Sequence, residues 1–114
     1  MSVQITAYIA KEEAEQFHLY AASLGIDKSS LANLLIKREL LLDRLGDLGK
    51  YRHDVPRAQC MKITAHVADQ STKTAFEAAA QRHKLRPGIA ASILFRAELS
   101  EIWLKQSLSH LDSD

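Results

Sequence analysis

Two short segments of the chain alternate polar and apolar residues. In Gln4-Ile5-Thr6-Ala7-Tyr8-Ile9-Ala10, the side chains of Ile5, Ala7 and Ile9 fall on one side and those of Gln4, Thr6 and Tyr8 on the other. In Lys62-Ile63-Thr64-Ala65-His66-Val67-Ala68, Ile63, Ala65 and Val67 oppose Lys62, Thr64 and His66. A period of two predicts strands with one covered face. A helical period follows each strand: Ala14, Phe17, Tyr20/Ala21 and Leu24 after the first, then Phe76, Ala79, Ala80 and His83 after the second. Asp69 or Ser71 suits the N-cap of the latter helix, whereas Lys11-Glu12-Glu13 offers early acidic charge but no capping side chain.

A second helix follows in each half. Gly25 closes the first helix and Asp27 caps the next, which carries Leu31, Leu34, Leu35, Arg38, Leu41/Leu42 and Leu45 at spacings of three and four. Its counterpart opens at Arg86-Pro87-Gly88, with Pro87 at the first helical position. It runs through Ile89, Ile93, Leu94 and Ala97, and is expected to extend through Trp103-Leu104 to Leu108.

The halves are copies of one another. Residues 4–10 lie over 62–68 with four of seven positions identical, and residues 31–40 lie over 90–99 with four of ten. Phe17 then aligns with Phe76, and Ala21 with Ala80. The first block matches at an offset of 58 and the others at 59, so one residue is inserted between about Ala68 and Ala75. Blocks recurring in the same order point to a duplication.

A strand–helix–helix unit of about 45 residues is too small to bury an adequate core, and a lone strand leaves its backbone groups unpaired. Both problems vanish if the strands pair antiparallel with the four helices beneath. The expected fold class is therefore mainly α with a two-stranded antiparallel ribbon. The expected organisation is a single intertwined domain over residues 1–114. A first copy spans 1–45, a linker 46–60, and a second copy with an extended last helix 61–111. Two glycines and a proline mark the linker, which reaches up to about 50 Å when extended.

This plan resembles the ribbon-helix-helix proteins of the Arc and MetJ repressor superfamily. Two copies in one chain are similar to its tandem, TraY-like members, often carried on plasmids. The resemblance covers residues 3–45 and 61–104 and implies a pseudo-symmetric ribbon-helix-helix dimer within one chain. It implies a ribbon that enters the DNA major groove, with Gln4, Thr6, Tyr8, Lys62, Thr64 and His66 meeting base edges. Gln pairs bidentately with adenine, Lys donates to guanine, and Thr offers a hydroxyl and a methyl to thymine. It also implies phosphate contacts at the start of each second helix, from Lys28, Ser29 and Ser30 and from Arg86 and Gly88. The bland alternatives stand beside these: a solvated ribbon face, and serines that merely cap a helix. Tyr8 and His66 depart from the long basic or amide side chains common at such positions, and Asp27 puts negative charge beside one phosphate site.

Composition narrows the partners. Lys plus Arg number 15 and Asp plus Glu 14, a formal charge of +1, so any DNA must be met by a local patch, with modest nonspecific affinity. Lys50, Arg52 and Arg57 are candidate flanking phosphate contacts, although a solvated linker is the more ordinary reading. The lone Cys60 excludes an internal disulfide framework and a CxxC motif. Five scattered histidines form no HExxH, and no nucleotide loop or GxSxG appears. Neither catalysis nor a cofactor or metal is expected. No membrane-length apolar run and no signal-like start appear, so the cytoplasm is the expected compartment.

The function expected is sequence-specific binding of double-stranded DNA, as transcriptional regulator or plasmid-transfer (conjugation) accessory factor, with further copies on adjacent DNA sites. The alternative is a protein-interaction module, antitoxin-like or a secretion-system adaptor, using the same fold without specific DNA binding. Its partner would sit on the helix around Ile102-Trp103-Leu104 and Leu108, unless Trp103 seals the bottom of the core.

Overall fold

The computed structural model describes the backbone of residues 3–112 and the side chains of residues 3–107. Strand β1 (Val3–Ala10) leads into α1 (Lys11–Ser23) and α2 (Lys28–Leu42); β2 (Cys60–Val67) leads into α3 (Gln70–Arg82), α4 (Pro87–Glu101) and α5 (Trp103–Asp112). The strands pair antiparallel as a two-stranded ribbon, with Thr6 opposite Thr64, Gln4 opposite His66 and Tyr8 opposite Lys62. The alternation seen in the sequence sets the faces. Ile5, Ala7, Ile9, Ile63, Ala65 and Val67 are buried, and the polar positions between them point away from the helices.

Each second helix lies against the strand of the other half: α4 packs on β1 and α2 on β2. One hydrophobic core consequently draws on both halves. Phe17, Phe76 and Phe95 are fully buried within it, and the Phe17 and Phe95 rings meet at 4.9 Å in a tilted arrangement. Burying a phenylalanine contributes roughly 1.5–3 kcal/mol. Helix α4 is the central element, with every residue from Ala90 to Ala97 buried. A helix covered on all sides reads as apolar all round, and here Ser92 and Arg96 are covered too.

The buried face of α2 keeps Leu31 and Leu35 of the stripe that three- and four-residue spacing suggested and departs from the rest of it. Leu31, Ala32, Leu35, Ile36 and Glu39 are buried, whereas Leu34, Leu42 and above all Leu41, 84% exposed, face solvent. Leucine recurs so often in this segment that two faces look apolar, and packing on β2 selects the one through Ala32 and Ile36.

The corners explain the one-residue insertion. Ala10 is both the last residue of β1 and the N-cap of α1, and its N–H donates to the Glu13 carboxylate at 2.9 Å. In the second half two residues turn the corner, and Asp69 accepts from the Thr72 N–H at 2.8 Å. Hydrogen bonds from Thr72 and Ser71 hold the Asp69 carboxyl below the ordinary carboxylate value. Its capping contribution is therefore present at neutral pH and lost as pH falls through that lowered value.

Helices α1 and α3 end in the same hydrogen-bonded pattern, a Schellman motif. Ile26 N–H donates to Ala21 O at 3.1 Å and Leu85 N–H to Ala80 O at 3.0 Å. The left-handed residue is Gly25 (φ 78°) in the first case but Lys84 (φ 59°) in the second. Ile102, at φ 43°, ends α4 and corrects the expectation of one continuous helix through Trp103: the chain breaks there and restarts as α5. No glycine announces this break. Left-handed backbone costs a side-chain-bearing residue about 1–2 kcal/mol. Lys84→Gly, exposed and without a cap to lose, relieves that cost but gives up backbone entropy on folding, and is expected to raise stability by up to about 1 kcal/mol, read as a shift of the urea midpoint. An unchanged or lower midpoint would mean that Lys84 gains something else from its position.

Residues 46–59 do not hang free. Together with Leu45 they form short 3-10 turns at Leu45–Asp47, Gly49–Tyr51 and Arg57–Gln59, with Leu45 and Leu48 buried in the core. The radius of gyration, 13.6 Å, is close to the roughly 13 Å typical of one globular body of this length. No helix among the described residues is long and apolar enough to cross a membrane.

Candidate nucleic-acid interface

The ribbon brings the six outward residues expected from the sequence onto one surface. Gln4, Tyr8, Lys62 and His66 are exposed at its corners, and Thr6 and Thr64 sit half-buried at its middle. Beneath them the apolar row holds both strands on the helices, so the polar row is carried on a rigid support. Tyr8, 40% exposed, is partly roofed: the Arg57 guanidinium lies 4.3 Å from the centroid of its ring.

The starts of α2 and α4 flank the ribbon. Ser29 donates its hydroxyl hydrogen to Thr64 O at 2.9 Å. At Gly88 a Cβ would come within 2.8 Å of Thr6 O, too close for any side chain. The small residue there is therefore explained by close helix–strand packing, with no ligand needed. Both helices are thus pinned to the two central threonines of the ribbon.

Their N-termini differ in charge. On α2, Asp27 accepts from the Ser30 N–H at 2.7 Å. That backbone hydrogen bond is the main cause holding the Asp27 carboxyl below its ordinary value, with His66 adding a smaller electrostatic contribution. The capping group at this helix start is thus an anion, and one of the N–H donors is already taken. Lys28 and Ser30 are exposed beside it. On α4, Arg86 occupies the N-cap position, its side chain makes no capping hydrogen bond, and Pro87 follows. An uncapped N-terminus beside a guanidinium favours an anion far more than the α2 end does.

The linker brings two of its cations to the ribbon. Arg52 and Arg57 are brought beside Arg86, Thr6 and Tyr8 around a cavity of about 390 Å³. Lys50 is elsewhere, its ammonium 5.3 Å from the Tyr51 ring. Arg96 also lines the cavity, buried and bonded to Glu13 at 2.9 Å. The glycine-and-proline composition that marks a linker also conceals where its arginines land.

One further expectation meets the structure here. Trp103 does not seal the core; it is 43% exposed and stacks under the Arg38 guanidinium at 5.0 Å. The side chains of Leu108 and His110 and the C-terminal Ser113-Asp114 lie outside the described residues. Among the described residues no group of three histidine, cysteine or carboxylate side chains is placed to hold a metal ion. Comparison of the chain with protein-family models, with curated proteins and with solved structures finds no match in any of the three.

Proposed function

We propose that the chain is a fused pair of ribbon-helix-helix units that binds double-stranded DNA in a sequence-dependent way, its ribbon in the major groove. The observation that carries this reading is a two-stranded ribbon with a full outward row of hydrogen-bonding side chains, flanked on each side by the N-terminus of a long helix. A two-stranded ribbon fits the major groove, and helix N-termini are suited to the phosphates on either side of it. Reading the two halves as related by a pseudo-two-fold axis places that axis at the Thr6–Thr64 pair. It also matches α1 with α3 in length, α2 with α4, and the left-handed Asp43 with Ile102.

The outward residues are Gln4, Thr6 and Tyr8 on one strand and Lys62, Thr64 and His66 on the other. Because they differ, the preferred site need not be palindromic. The two flanks also differ, arginine-rich beside α4 and carboxylate-capped beside α2, so the grip on the two backbones is unequal. Regulation of transcription and assistance at a plasmid transfer origin both use such a module.

Selection from random duplex DNA, followed by anisotropy titrations over a salt series, tests the reading. The expected result is an enriched asymmetric motif whose binding weakens steeply with salt. No enrichment together with salt-insensitive binding would remove the function and leave the fold standing. A second reading, a protein-interaction module, is favoured by one observation only: Leu41, Leu42, Ile102 and Trp103 are exposed apolar side chains at the end of the molecule where α2 and α4 finish.

A further inference from the structure

The cavity between the linker and the start of α4 has a charge unlike the rest of the molecule. The whole chain carries a formal +1, yet four arginines line this one space, Arg52, Arg57, Arg86 and Arg96, against a single carboxylate, Asp54. Arg96 is already neutralised by Glu13. The other three are poorly satisfied. Arg52 reaches Asp54 only at 4.0 Å, with the Asp54 side chain 90% exposed. Arg57 rests on the Tyr8 ring, and neither it nor Arg86 makes an ion pair among the described residues. Cationic side chains that line one cavity without matching counter-charge repel one another, and an anion relieves the repulsion.

Size and lining say which kind of anion. A volume of about 390 Å³ lies in the range of small-molecule pockets and is several times what one phosphate group fills. Tyr8, Val55 and Ile89 give the cavity apolar and aromatic wall beside the guanidinium groups. Planar guanidinium forks match phosphate oxygens in pairs and also stack on flat rings.

We propose that this cavity binds a small organic phosphate, a phosphate monoester carrying a planar body. The phosphate lies among Arg52, Arg57 and Arg86, and the body lies along Tyr8 and Ile89. This site does not depend on the DNA reading, although Arg57 links the two surfaces by lying over an outward residue of the ribbon. A phosphate on the DNA backbone shares the same chemistry, and the test separates the two sources.

The experiment is calorimetric titration of the full chain with AMP, phenyl phosphate and inorganic phosphate, repeated on Arg52→Ala/Arg86→Ala. Both arginines are exposed, and circular dichroism of the variant checks that its fold is kept. The expected result is one site per chain for AMP or phenyl phosphate, tighter than for inorganic phosphate. Loss of charge-assisted hydrogen bonds should weaken it at least tenfold in the variant. Absence of binding by both organic probes at millimolar concentration overturns the proposal, as does equal binding by the variant. If neither probe binds while the variant loses affinity for duplex DNA, the arginines belong to the DNA backbone footprint and the small-ligand site is wrong. Organic phosphate binding in a protein with no duplex affinity would instead remove the DNA reading alone.

Discussion

Replacing Glu98 with alanine is expected to cost about 3–5 kcal/mol of folding stability, a large share of the roughly 5–15 kcal/mol available to a domain. Glu98 is fully buried on the central helix. Its carboxylate accepts from the Arg38 guanidinium at 2.7 Å, from the Tyr20 hydroxyl, and from the Leu104 N–H at 2.8 Å. Truncation strands three donors at once: a guanidinium whose side chain is 12% exposed, a phenol, and an N–H in the first turn of α5. Because Lys105 N–H in turn donates to the Tyr20 oxygen at 3.2 Å, the loss should loosen α5 from α1 and α4 as well.

Glu98→Gln keeps the shape and some of the hydrogen bonds and should cost less. Removing the side-chain network whole, as Tyr20→Phe/Arg38→Met/Glu98→Leu, should cost less than Glu98→Ala, since the guanidinium and the phenol go with their acceptor and only the N–H groups of Leu104 and Lys105 lose a partner. Urea unfolding followed by circular dichroism gives the order. Glu98→Ala within 1 kcal/mol of the parent would mean that water replaces the lost partner. The same network sets an alkaline limit. Burial foremost, then the Glu98 hydrogen bond, raises the Tyr20 phenol far above its ordinary value. Its contribution is thus full below the unfolded value of about 10 and is lost as pH rises above it. Tyr20→Phe should remove that loss.

The carboxylate network shows why some of this molecule was legible in the sequence and some was not. Period-two alternation placed Ile5, Ala7, Ile9, Ile63, Ala65 and Val67 on the covered face, because a strand offers only two faces and one residue pattern decides between them. Helix α4 was located by Pro87 and its apolar run, and Asp27 and Asp69 by capping chemistry. Glu98 was invisible in role. A glutamate in a helix reads as solvated, and only the meeting of α1, α2, α4 and α5 supplies its three donors. Its counterpart in the repeat, Glu39, is also buried but finds local partners: it accepts from the Arg44 N–H at 3.1 Å and the Leu45 N–H at 2.9 Å, where the chain turns after α2.

The buried side of α2 was misjudged at Leu34, Leu41 and Leu42 for the opposite reason, too many leucines rather than too few signals. Arg52 and Arg57 were visible as charges, but their place beside Tyr8 depends on how Leu45 and Leu48 anchor the linker in the core. That is a tertiary fact with no local signature. The outward row of the ribbon was legible as polar positions; what those positions touch is a matter of partners, which no pattern within one chain can encode.

Replacing Gln4 and Lys62 together with alanine is expected to abolish most of the preference for a selected DNA site while leaving the protein folded. Both residues are exposed on the outward face of β1 and β2, each two residues from the central Thr6–Thr64 pair but toward opposite ends of the ribbon, and neither contributes to the core. A well-placed bidentate base contact discriminates by about 1–3 kcal/mol. Losing two reduces specific affinity by roughly thirtyfold to roughly twenty-thousandfold if they act independently. Nonspecific binding should change far less, because it rests on phosphate contacts. The salt series decides what Lys62 meets. If it meets a base, Lys62→Ala weakens the selected site at nearly constant salt slope; if it meets a phosphate, the slope becomes shallower by about one. Thr6→Ala/Thr64→Ala tests the middle of the ribbon in the same assay. The hydroxyls project from the outer face, while the backbone oxygens of these threonines meet the starts of α4 and α2. Folding should therefore survive the double substitution and sequence preference should relax. Retention of full specificity in both double variants, with the fold intact, would leave the outward row as nothing more than a hydrated surface.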